Sequence, residues 1–401
     1  MENNPYYNYY TVENQKLSTK LYAVLASKHL KYEYEINWHL PNFEKEFSKI
    51  DLFKEPEKSL DQLYKQRAEQ LRNDYDYLIL HYSGGHDSHN ILETFMLNNI
   101  FIDEILILNQ FDKSFRQKLE NANFEFLHQT AYEAEFSAIP LAKHFIENFS
   151  PKTKLTIVEN SFGIHGDYWL TLTEKQMIEN LKMPGTLGVI GKPPLRLNNL
   201  NAYNTDYRKI KETKKVAHIW GRDKCALSFD NIGYYFNFVD GAMTDYIDGN
   251  NNVSKDQLLQ NIEFFYTHPT TATMILKQAH TIMNKIPYYK LNTKTITRSY
   301  ENMIANFIYS RKISSPYLGL KGGDFKNIIN YLNRKRDSNR DLSLYNISEL
   351  VLLKNMQTDI FTSFSDQINI IGNFLRLPSN QIEGAMSANY ATKKFYIKYF
   401  E

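Results

Sequence analysis

Hydrophobic positions change their period several times along this chain, and each change marks an element. Tyr77 to Tyr82 is an apolar run of strand length, and Ile102 to Leu108, Leu155 to Val158 and Val216 to Trp220 repeat the type. Such runs, too short for helices and without polar alternation, predict strands buried on both faces. Between them the period lengthens. His89 to Asn98 places Ile91, Leu92, Phe95 and Met96 on one helical face, Phe115 to Ala122 and Glu133 to Phe149 predict further helices, and Phe124 to Leu127 a short strand. Alternating strands and helices predict an α/β fold, a doubly wound parallel sheet with helices on both faces.

The flanks read differently. Leu17 to His29 predicts a strand followed by a helix, and Asp61 to Arg72 a helix with Leu63, Ala68 and Leu71 on one side. Residues 181 to 215 are less regular, with MPG, GKPP and the basic stretch YRKIKETKK. Ala226 to Phe229 and Tyr234 to Val239 flank DNIG and predict a hairpin. After Gly249 the pattern turns helical, over Lys255 to Phe265, Thr271 to Asn284, Thr295 to Tyr309, Phe325 to Asn333, Ile347 to Asp359 and Gln367 to Leu375. The expected organisation is an N-terminal extension (1–72), the sheet domain (73–250) and a helical C-terminal domain (251–401), with no internal repeat.

Composition removes whole classes of chemistry. A length of 401 residues suffices for two or three domains, and a net charge of +2 announces neither a nucleic-acid nor a basic partner. The 29 Tyr and 25 Phe suit half-buried surfaces and base stacking, or reflect a biased genome. Cys225 is the single cysteine, which excludes an internal disulfide, a cysteine-rich zinc site, an iron–sulfur cluster and a two-cysteine persulfide relay. The opening MENNPYYNYYTVENQ has no basic segment followed by an apolar one, and no apolar run approaches a membrane span, so a cytoplasmic protein is expected.

Directly behind the run Tyr77 to Tyr82 stands Ser83, Gly84, Gly85, His86, Asp87, Ser88. Two glycines let the backbone turn tightly, aiming consecutive N–H groups at one point, and the following helix adds the positive end of its dipole. An oxyanion fits such a turn without a cationic side chain. Ser83 and Ser88 can donate to phosphate oxygens, while Asp87 can cap the helix or hold magnesium. No Gly-Lys-Ser or Gly-Lys-Thr follows, so GTPase and motor-type loops are excluded.

The string resembles the SGGxDS signature of the N-type ATP pyrophosphatases, the PP-loop family of adenine nucleotide alpha hydrolase-like (HUP) proteins. These include the synthetase domain of asparagine synthetase, GMP synthetase and the tRNA-lysidine synthetase. The resemblance covers about residues 75 to 240, and a vaguer likeness extends to uncharacterised bacteriophage PP-loop proteins. It implies ATP and Mg2+ as cofactors, cleavage between the α and β phosphates, AMP passed to a substrate oxygen, and pyrophosphate held by Ser83 to Ser88. It also places adenine near Asn109 and Gln110, at the end of the second strand. The single cysteine departs from the zinc-binding 7-cyano-7-deazaguanine synthases and from the two-cysteine tRNA thiolases.

Secondary sites follow from topology. AHIWGRDKC ends a strand at Gly221, so Lys224 could stabilise charge on the phosphates and Asp223 could hold magnesium, or the turn is simply a charged surface. This loosely resembles the later acidic turn of asparagine synthetase. His165 and Asp167 follow the strand ending at Val158 and are candidate acid–base or substrate-binding groups, or a structural turn. Glu133 and Glu135 suit a helix start, and His86 with His89 is a weak metal pair. Lys277, Gln278, His280, Arg298, Tyr300, Arg311, Lys312 and Lys321 could meet an anionic substrate; Arg334, Lys335, Arg336 and Arg340 read as solvated loop or nucleic-acid contact.

The expected activity is ATP-dependent adenylation of a substrate oxygen followed by attack of a nitrogen nucleophile. With no cysteine after Met1, nitrogen would come from ammonia, an amine or a partner chain. Modification of a nucleotide or nucleic-acid base, and a non-catalytic nucleotide-binding module, are the alternatives. Homo-oligomerisation stays open.

Overall fold

The computed structural model describes residues 5–17, 20–29, 35–108, 134, 138–158, 210, 213–221, 225–240, 262–286, 296, 304, 307–309 and 390–400. At the N-terminus β1 (Tyr9–Val12), β2 (Gln15–Leu17) and β3 (Ile36–His39) make an antiparallel sheet in the order β2-β1-β3, with α1 (Lys20–His29) between β2 and β3 in sequence. Then come α2 (Pro41–Phe47) and α3 (Leu60–Asp74). α3 begins where Ser59 and Gln62 cap each other's free N–H groups, and it buries Leu63, Ala68 and Leu71 as the spacing predicts.

The predicted α/β core is present. β4 (Tyr77–His81), α4 (His86–Leu97), β5 (Glu104–Leu108), α5 (Ile139–Phe149), β6 (Lys154–Val158) and β7 (Val216–Trp220) follow in order. β8 (Leu227–Phe229) and β9 (Gly233–Phe236) form the hairpin around DNIG, where Asp230 Oδ1 accepts from the N–H groups of Ile232 and Gly233. β10 (Ile262–Phe264) returns to the parallel sheet, whose order is β10-β7-β4-β5-β6. Its central strand β4 is buried at every position, because neighbours cover both edges and helices or loops both faces. α6 (Ala272–Lys285) and β11 (Phe395–Tyr399) complete the described elements, β11 pairing with β9.

Two expectations change. The helix predicted over Lys255 to Phe265 is, at Ile262–Phe264, a strand paired in parallel with β7. KDQLLQNIEFF carries a helix-like apolar spacing, but a three-residue strand needs only Ile262, Glu263 and Phe264, and pairing with β7 decides it. Residue 250 therefore separates β10 from the sheet it completes. Nor do the leading residues stand apart: Phe43 and Phe47 pack on Phe236, Phe238 and Phe395, and the core runs from Tyr6 to Ile397. The helices predicted at 115–122, 325–333, 347–359 and 367–375 and the strand at 124–127 lie outside the described residues; of 295–309 only Ile296, Ile304 and Phe307 to Tyr309 are described.

Candidate functional site

In sequence order β4, β5 and β6 lead toward one edge of the sheet, whereas β7 and β10 lead toward the other. The order therefore reverses between β4 and β7. In open parallel sheets the crevice beyond the carboxyl ends of two such strands is where ligands sit. Ser83 to Ser88 follows β4 and Gly221 follows β7, so both segments meet there.

The local geometry is that of a tight strand-to-helix turn. Tyr82 N–H still bonds to the Leu106 carbonyl (2.9 Å) as the strand ends. Gly84 adopts φ 80°, a left-handed conformation that costs a residue with a side chain about 1–2 kcal/mol. Gly85 is the N-cap of α4 and has no side chain with which to cap it. Asp87 sits in the first turn, where its charge complements the dipole. The serines bond within the loop. Ser83 and Ser88 hydroxyls lie 3.1 Å apart, Ser88 Oγ donates to the Gly85 carbonyl (3.2 Å), and Gly85 N–H donates to Ser83 Oγ (3.3 Å). Ser83 is exposed and Ser88 buried.

β7 reaches this turn directly. A Cβ added to Gly221 would lie 2.9 Å from Ser88 N and 3.0 Å from Asp87 C. The close approach of two backbones, with no room for a side chain, fixes the end of β7 against the first turn of α4.

Two tyrosines bond to that turn, and a third supports them. The Tyr266 hydroxyl donates to the Asp87 carbonyl (2.8 Å) and accepts from Asn90 Nδ2 (2.9 Å). The Tyr309 hydroxyl donates to Asp87 Oδ1 in a short bond. Tyr64 donates to the Ile308 carbonyl (2.8 Å) and accepts from Gln278 Nε2 (3.0 Å), while Gln278 Oε1 accepts from Cys225 N–H (3.2 Å). Burial raises the hydroxyl pKa of Tyr266, Tyr309 and Tyr64 well above the ordinary tyrosine value, and the Asp87 charge adds to this, so all three remain protonated donors.

On the sheet face that carries Tyr77, Ile79 and His81, His81 Nε2 lies 2.8 Å from His218 Nδ1 and its ring stacks on Trp220 at 3.8 Å. Burial, then the neighbouring His218, holds the His81 pKa well below the ordinary histidine value. This pair is a buried link between β4 and β7.

Of the predicted site residues, Ser83, Gly84, Gly85, His86, Asp87 and Ser88 are brought together. Asn109, Gln110, Glu133, Glu135, His165, Asp167, Asp223 and Lys224 lie outside the described residues, as do Arg298, Tyr300, Arg311, Lys312, Lys321, Arg334, Lys335, Arg336 and Arg340. His89 turns into the core, its Nδ1 3.1 Å from the Tyr82 hydroxyl and its Nε2 3.6 Å from Glu93, and no group of three acidic, His or Cys side chains among the described residues is placed to hold a metal. α6 offers no anion surface at the residues expected. Lys277 Nζ pairs with Glu55 (2.6 Å), Gln278 is fully buried, and His280 Nε2 lies 3.0 Å from the Leu52 carbonyl. Tyr64, Tyr266 and Tyr309 were not singled out from sequence, because among 29 tyrosines nothing local marks three that converge from distant segments.

No protein-family model, no curated protein and no solved structure matches the chain. Fold and site alone define it, as an α/β protein whose glycine turn and helix start open the crevice of a parallel sheet. Among the described residues no helix is long and apolar enough to cross a membrane.

Proposed function

We propose that the chain is an ATP pyrophosphatase of the PP-loop type, which adenylates a substrate oxygen and releases pyrophosphate, for subsequent attack by a nitrogen nucleophile. The observation that carries this reading is the position of SGGHDS, on the strand-to-helix turn after β4 and at the point where strand order reverses. The five-stranded order also suits a HUP-like sheet, with β4 as its first strand.

The residues present fit the cofactors. Gly84 and Gly85 leave the turn without side chains, so a diphosphate can approach the backbone, and the α4 dipole favours its charge. For such a ligand to bind, the Ser83 and Ser88 hydroxyls exchange their mutual bond for bonds to phosphate oxygens. Mg2+ is held by one or two carboxylates together with substrate phosphates, so Asp87 suffices on the protein side without a preformed cage. When bound, the ion would neutralise charge developing on the leaving pyrophosphate. Asp223 and Lys224, a few residues beyond Gly221, remain the proposed second metal ligand and the charge-stabilising cation. Substrate, nucleotide or otherwise, would enter above the same crevice.

Incubating the chain with ATP labelled in the α phosphate, Mg2+ and fractionated metabolite and RNA extracts tests the proposal. The expected products are AMP or an adenylated species, with pyrophosphate. Steady release of ADP and inorganic phosphate rejects it.

A further inference from the structure

The SGGHDS turn is not held by its own hydrogen bonds alone. Tyr266 fixes the backbone of Asp87 through its carbonyl, and Tyr309 fixes the carboxylate through Oδ1. Tyr309 is itself placed, since the preceding carbonyl, that of Ile308, accepts from Tyr64, whose oxygen is held by the fully buried Gln278. The three rings pack on one another, Tyr266 to Tyr309 at 5.5 Å and Tyr64 to Tyr266 at 5.8 Å. Each hydroxyl thus has a fixed direction. Gln278 also accepts from Cys225, the residue next to Lys224 in sequence, so one hydrogen-bonded series runs from Cys225 to the loop after β4.

A carboxylate that ligates a metal performs best when an outer partner fixes its rotamer, since an unconstrained side chain must be ordered at the moment of binding. A phenol suits this task. It donates to one oxygen and adds no opposing charge.

We propose that Tyr309 is a positioning residue for metal binding, orienting the Asp87 carboxylate toward magnesium, with Tyr64 and Gln278 setting the position of Tyr309 and Tyr266 that of the Asp87 backbone. This rests on the reading of the loop as a pyrophosphate cradle and adds what makes its carboxylate metal-competent. Segments far apart in sequence, 60–74, 272–285 and 307–309, thereby take part in the loop's function.

Calorimetric titration of the full chain with inorganic pyrophosphate, at a series of MgCl2 concentrations, tests this. Tyr309→Phe is expected to raise the Mg2+ concentration for half-maximal pyrophosphate affinity by about tenfold, the scale typical of lost outer partners, while leaving metal-free affinity within about twofold. In an Asp87→Asn background the same change should have no further effect on the Mg2+ midpoint. An unshifted midpoint in folded Tyr309→Phe, equal losses with and without Mg2+, or additivity with Asp87→Asn each overturns the inference and leaves the pyrophosphate reading standing. Absence of pyrophosphate binding by the parent chain at every Mg2+ concentration overturns both. Should Tyr309→Phe fail to fold, Tyr64→Phe, which retains the Tyr309 hydroxyl, carries the test: a smaller shift in the same direction supports the proposal, and none overturns it.

Discussion

Gly221 shows how one residue couples two strands of the sheet to the loop. Its missing side chain leaves space for the Asp87–Ser88 peptide, and a methyl group there would also meet Ile91 Cδ1 at 3.0 Å. Neither the backbone of α4 nor a fully buried Ile91 yields cheaply. Gly221→Ala is therefore expected to destabilise the fold by about 1–3 kcal/mol through overpacking and to displace Ser88 from the turn. Urea denaturation measures the first effect, and pyrophosphate titration of the folded variant the second. A variant with parental stability and parental affinity would show that the strand end and the loop are independent. The strand-to-helix turn itself was legible because its signals are local: glycines, hydroxyls and a carboxylate within a few residues of an apolar run. Its support was not. Tyr266 and Tyr309 lie 179 and 222 residues from Asp87, and the hydroxyls that reach it carry no signature in their own neighbourhoods.

At the scale of elements, long apolar runs and clear periodicity read well, whereas short or edge elements did not. β7 spans Val216–Trp220 and α6 Ala272–Lys285, close to the predicted bounds, since burial of each follows from its own pattern. β10 did not follow from its pattern, because a strand of three residues owes its existence to a neighbour. What secures β10 is also non-local. Arg67, buried on α3, bonds to Glu263 at 2.6 Å and to the Phe264 carbonyl at 3.1 Å, and Tyr75 donates to the other Glu263 oxygen at 2.5 Å. Removing one member of such a buried pair strands the other charge. Arg67→Met should cost about 3–5 kcal/mol in urea denaturation, and Arg67→Met with Glu263→Gln distinctly less than the sum of the single changes. Additive losses would mean that the pair contributes nothing as a pair.

At the scale of the whole molecule, buried histidines among the described residues contribute to the response to acid. Burial lowers the pKa of His268 to about 3, with the Arg67 guanidinium adding to the shift, and His81 is held well below its ordinary value. Above about pH 6.5 neither state binds these protons, so stability is unaffected. Below it the unfolded chain is protonated while the folded chain is not, and stability falls as pH drops toward 3. At pH 5 His268 should cost about 2 kcal/mol, from about 1.5 pH units at 1.36 kcal/mol per unit, and His81 adds in the same direction. His268→Asn, which keeps a side-chain acceptor for Thr270 N–H, should flatten the fall in urea midpoint between pH 6.5 and 5; an unchanged slope would place the acid response elsewhere.

The central proposal is that the turn from Ser83 to Ser88 cradles the pyrophosphate portion of ATP. The most direct measurement is a crystal structure of the chain with α,β-methylene-ATP and Mg2+. The account predicts the β and γ phosphates against Gly84 and Gly85, the Ser83 and Ser88 hydroxyls turned from each other onto phosphate oxygens, and the metal on Asp87. A nucleotide bound away from this turn, or one seated there with Ser83 and Ser88 still bonded to each other and no metal at Asp87, would contradict it.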